Sequence, residues 1–144
     1  MQPQCTWRRL LTPVRQGGKS GGAGLTDRCS DPVEVVNARR VDRSRARRLV
    51  QGRISPRVGD LVLARVENLG HHRHLQLVDG RRRRLFVGDL VIVAYGNRYA
   101  CEQFEAEVPG SLSACHLVAG GGVAASALNW HDRIARGPTG IKPL

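Results

Sequence analysis

The sequence predicts a mainly β protein: a small closed or partly open β-barrel over residues 54–118, a C-terminal helix behind it, and a disordered basic N-terminal arm in front. Three observations lead there. Val58–Ala64 (VGDLVLA) and Val87–Val93 (VGDLVIV) share their first five residues at an offset of 29, an internal repeat that suits one strand-and-hairpin unit used twice. At Ile54 the texture changes from glycine, proline and arginine to apolar, β-branched runs. Charge follows the same border: of a net +11, residues 1–53 carry +8, residues 54–110 only +1 and residues 111–144 +2.

The elements follow in chain order. Residues 1–32 hold five glycines and three prolines with no apolar period, too little burial to offset the entropy of ordering. Residues 33–50 carry Val33, Val36, Val41 and Leu49 as a loose stripe and predict a short helix that closes the arm, residues 1–53. Within 54–118, Val58–Ala64 reads as a turn and a buried strand. His74–Val78 alternates and runs into Asp79-Gly80, a strong hairpin signal, with Arg84–Phe86 returning. Val87–Ala94 opens the next strand. In the final segment, residues 119–144, Gly120–Gly122 precede Val123, Ala127, Trp130 and Ile134 at helical spacing, and Gly137-Pro138 ends the predicted helix over 123–136.

At 144 residues the chain fits one domain. No apolar run approaches the roughly 18 residues of a membrane span, and no apolar signal core opens the sequence, so no membrane partner is expected. Four cysteines without a CxxC pair point to free thiols in a reducing cytoplasm.

Most candidate chemistries fail on spacing. Gln16–Ser20 (QGGKS) ends like a phosphate-binding P-loop, but Pro13 stands where its first glycine belongs. His71, His72 and His74 cluster, with Cys115-His116 further on, yet paired ligands at zinc spacing are missing, so no metal and no cofactor is expected. Nucleophilic catalysis would pair Cys101 or Cys115 with His116 or His131 and with Glu102 or Glu105. On a strand, however, adjacent Cys115 and His116 face opposite ways.

Two patterns survive. Tyr95–Tyr99 (YGNRY) reads either as a binding loop, with Arg98 as anion anchor and Asn97 and Tyr99 as hydrogen-bonding groups, or as a turn closing the sheet. Gly120, Gly121 and Gly122 can present backbone amides to an anion, or simply pack closely. The rival pattern is basic: Arg39, Arg40, Arg45, Arg47 and Arg48 with Arg81, Arg82, Arg83 and Arg84 offer contacts to a phosphate backbone. Their plainer reading is a solvated face and a charged edge that discourages aggregation.

Gly59-Asp60 and Gly88-Asp89, each leading into an apolar strand, resemble the glycine–aspartate box of the cradle-loop barrels. That likeness implies a corner crossing a neighbouring strand. Residues 95–105 with 117–128 are also similar to an N-terminal accessory domain of uncharacterised bacterial P-loop proteins. This second likeness implies a nucleotide-binding partner domain and a truncated or stand-alone copy of the accessory part. The expected function is therefore a non-catalytic binding or accessory module for an anionic ligand or such a partner. The alternatives are a nucleic-acid-binding protein using its arginine clusters, and a small enzyme with Cys101 or Glu102 as catalytic residue.

Overall fold

Each glycine–aspartate segment folds into a four-residue turn with glycine third, where the backbone must take positive φ: +93° at Gly59 and +94° at Gly88. The turns close alike, Asp60 N–H on Arg57 O and Asp89 N–H on Phe86 O. Each aspartate carboxylate then accepts the first N–H of its own turn, from Arg57 at 2.8 Å and from Phe86 at 2.9 Å. Each corner also brackets a residue of the other repeat. Gly59 N–H donates to Tyr95 O and Tyr95 N–H to Asp60 O; Gly88 N–H donates to Val66 O and Val66 N–H to Asp89 O. The sequence offset carries every one of these bonds onto its counterpart.

The structure, a computed structural model, describes residues 33–38 and 52–144. Its strands are β1 (Val33–Glu34), β2 (Leu61–Asn68), β3 (His74–Gln76), β4 (Arg82–Arg84), β5 (Leu90–Tyr95), β6 (Arg98–Tyr99), β7 (Phe104–Glu107), β8 (Cys115–Ala119), β9 (Val123–Trp130) and β10 (Thr139–Pro143). The main sheet runs β1-β5-β2-β10-β8-β9-β7-β6, and β3 and β4 form a separate hairpin. β9 also returns to β5 through a two-residue parallel pairing, Ala94 with Val123 and Tyr95 with Ala124, so β5, β2, β10, β8 and β9 trace a partial ring. The protein is mainly β, and among the described residues no helix is long and apolar enough to cross a membrane.

The predicted C-terminal helix is not there; residues 123–130 are β9 instead. The helical spacing misled because β9 is buried on both faces. Ala124 joins Leu117, Val91 and Tyr95 in the main core, whereas Ala125 joins Phe104, Val118 and Ile134 in a second cluster on the opposite side. Two adjacent buried residues erase the alternation that marks a half-buried strand. The apparent helix start, Gly120–Gly122, is the turn of the β8–β9 hairpin. Beyond Trp130 the chain makes short turns before β10 and does not form a helix.

The expected helix over 33–50 is also corrected where the structure describes it. Val33–Glu34 pair in parallel with β5, Val35 bridges Leu77, and Val36–Ala38 make one 3-10 turn. Val33 and Val35 are buried in the main core, so this part of the expected arm is packed rather than disordered. β-branched valines at alternate positions suit a strand better than a helix. Residues 39–50, with Arg39, Arg40, Arg45, Arg47 and Arg48, lie outside the described residues.

Candidate functional site

The Asp79-Gly80 turn forms as predicted, with Gly80 at φ +85° and Arg81 N–H donating to Asp79 Oδ1. The hairpin it makes places His74 opposite Arg84 and Gln76 opposite Arg82. Leu75 turns inward and is buried; His74, Gln76 and Arg82 turn the other way and are exposed. Gln76 N–H donates to Gly120 O at 2.8 Å, which ties the hairpin to the β8–β9 turn. Between them, and reaching to β6, lies a cavity of about 510 Å³.

The wall on the β8–β9 side is Ala119, Gly120 and Gly121. Gly122 N–H bonds Ala119 O, which makes Gly120 and Gly121 the central pair of a β-turn, and Gly122 then takes φ +93°. The three glycine carbonyls are all occupied, by Gln76, Asn37 and Ala94 N–H respectively. No backbone acceptor among the described residues takes the Gly120 or Gly121 N–H. Gly122 has a packing role: a Cβ there would overlap Val35.

Arg98 and Gln103 supply the wall on the β6 side. A tight turn, Gln103 N–H to Ala100 O, brings the Gln103 amide back to Arg98, whose Nη2 donates to Gln103 Oε1 at 2.9 Å. The guanidinium is thereby held in place, yet its Nε is buried without a partner among the described residues. An unpaired buried donor on a charged group costs stability.

The floor comes from the loop between β2 and β3. Thr139 is buried, and its Oγ1 accepts Gly70 N–H at 3.0 Å and donates to His72 O at 2.6 Å. The His71 and His72 rings pack edge-on at 5.0 Å and both approach Phe104, at 5.9 and 5.6 Å. His72 Nε2–H donates to Val118 O at 3.1 Å. Burial above all, then the neighbouring His71, pushes the His72 pKa down to about 4, with Arg98 acting the same way, so the ring is neutral at pH 7. Arg73, Arg82, Arg98 and three histidines line the cavity, and no acid among the described residues does.

No family model, curated protein or solved structure matches the chain.

Of the residues singled out in the sequence, Arg98, Gly120 and Gly121 meet at this cavity, joined by Arg82 from the rival arginine set. Asn97 and Tyr99 are not among its lining. Asn97 Oδ1 accepts Val108 N–H at 2.8 Å, a tie within the fold, and Tyr99 is 76% exposed. The four-arginine run does not act as one surface. Arg81 pairs with Asp79 at 2.7 Å, which holds that carboxyl below its usual range, and Arg84 lies over the Phe86 ring at 5.6 Å. Arg83 stands opposite buried Leu75, on the other face from Arg82.

Cys101 and Glu102 are exposed on the turn before β7 and do not line the cavity. Cys115 is buried beside the Tyr95 hydroxyl, and burial pushes its thiol up to about 11; His116, on the other face, accepts Ala127 N–H. Among the described residues no group of three His, Cys, Asp or Glu is arranged to hold a metal ion. The sequence reading missed Arg73, Gln103 and Thr139. The histidine cluster was noticed, but as a metal candidate.

Proposed function

We propose that the protein is a non-catalytic binding module whose cavity takes an anionic ligand, with Arg98 as the principal charge. What carries the reading is the Arg98 guanidinium, held by Gln103 at a cavity that Arg73, Arg82, Gly120 and Gly121 also line and that no acid among the described residues enters. Charge-assisted hydrogen bonds to such donors are the strong kind. Titration with inorganic phosphate and pyrophosphate, followed by calorimetry or amide shifts, tests it. Arg98→Gln is expected to weaken binding by about tenfold or more, Gln103→Leu by a smaller factor, and Arg81→Gln, outside the cavity, not measurably. Equal binding by the wild type and Arg98→Gln would end the proposal.

The nucleic-acid reading has less behind it, since Arg81 and Arg84 have local partners and Arg82 belongs to the cavity. It requires duplex affinity to fall with salt by about 0.9 log units per phosphate contact. The closed barrel is proposed with the anion site, supported by the β5–β9 pairing and the reciprocal corners. Amide exchange tests closure: Ala94 and Gly96, donating to Gly122 O and Ala124 O, should exchange as slowly as the core of β2.

A further inference from the structure

We infer that the occupant is a phosphorylated, hydroxyl-rich small molecule of the sugar-phosphate class, its phosphoryl group at Arg98 and the Gly120–Gly121 amides. This deepens the anion-binding reading and rests on it.

Size comes first. The cavity volume, about 510 Å³, would hold on the order of fifteen waters at roughly 30 Å³ each, so a bare phosphate ion leaves most of it empty. Charge comes next. A phosphate monoester carries about −1.5 to −2 at neutral pH and three strong acceptor oxygens. The Arg98 guanidinium and the two turn amides offer donors for those oxygens, and Arg73 and Arg82 offset the second charge. A monocarboxylate would leave that cationic excess uncompensated. Among the described residues no acid, which would repel the phosphate, lines the cavity.

The body of the ligand is set by what else lines the cavity. Gln76 and His74 each offer a donor and an acceptor, and a sugar hydroxyl is both at once. Apart from the glycines, Ala119 is the single apolar residue among the described lining, which gives a lipid or aliphatic acid little there to bury against. Among the described residues no Phe, Tyr or Trp lines the cavity, so a nucleobase would find none of their aromatic faces to stack on there.

Calorimetric titration of the full chain, with inorganic phosphate, AMP, free glucose and a panel of hexose, pentose and triose phosphates, tests the inference. At least one sugar phosphate should bind about tenfold or more tighter than inorganic phosphate and AMP, from two or more added hydrogen bonds, and free glucose not measurably. Gln76→Ala, at an exposed strand position, should remove about three- to tenfold of the sugar phosphate's affinity and leave that of inorganic phosphate unchanged. Thermal unfolding of the same variant checks that it is folded. If no sugar phosphate exceeds inorganic phosphate, or AMP binds tightest, the sugar-phosphate inference is overturned while the anion site stands. If no phosphate compound binds, or Arg98→Gln changes nothing, the anion-binding reading falls and takes this inference with it.

Discussion

Thr139 links two backbone groups that would otherwise be stranded, Gly70 N–H and His72 O. Thr139→Val keeps the shape and removes both bonds, and is expected to cost about 2–3 kcal/mol in urea denaturation, with Thr139→Ser regaining most of it. His72 adds a pH dependence whose sign is fixed. Its pKa is near 4 when folded against an ordinary 6.5. Between those values the unfolded chain binds the extra proton, so stability falls as the solution is acidified. Allowing for the solvent the ring still meets, the loss is about 1–2 kcal/mol. His72→Asn, which cannot titrate, should show a correspondingly flatter stability profile between pH 7 and 4.5; an unchanged profile would contradict this account. At this scale the sequence singled out Arg98, Gly120 and Gly121 from local chemistry, and the structure brings the three to one cavity. It could not reveal His72 or Thr139, whose partners lie 46 and 67 residues away, Val118 O and the His72 carbonyl.

The repeat was the most legible element. A glycine needing positive φ, an aspartate bonding its own turn and a β-branched run after it are all local instructions, and both copies follow them. Invisible was the reciprocity, since nothing in Gly59-Asp60 announces that Tyr95 is its partner. β9 failed for a related reason: its two buried faces belong to separate clusters, and a one-dimensional pattern cannot assign adjacent alanines to different cores. The glycine turn that feeds it gives a sharp contrast. Gly122→Ala meets both a positive φ and the Val35 side chain, and should cost about 3 kcal/mol or more in chemical denaturation. A Cβ at Gly120 meets only His74 O at 3.8 Å, so Gly120→Ala should stay within about 1 kcal/mol of the wild type. Similar losses at the two positions would mean that the turn is not built as described.

Across the whole molecule, the last strand is an interior one. β10 pairs with β2 through Gly140–Pro143 and with β8 through Thr139–Ile141, so the partial ring is joined at this point by the final residues of the sequence. Pro143 is tolerated because it pairs on the β2 side alone, beyond the reach of β8, and its missing N–H breaks no second ladder. Ile141 is buried in the main core, and Thr139 holds the His71–His72 loop, so the strand joins sheet, core and cavity floor. Deleting residues 139–144 therefore removes the strand between β2 and β8 and opens the core at once. The truncated chain is expected to lose its cooperative thermal transition altogether, beyond the roughly 4–8 °C that a 1 kcal/mol change would shift it in a small domain. A synthetic peptide of residues 139–144 should restore part of that transition in proportion to its concentration, since a partner that binds only the folded form stabilises by mass action. A truncated chain that still melted cooperatively near the full-length temperature would make β10 a dispensable edge and leave the ring without its closing strand.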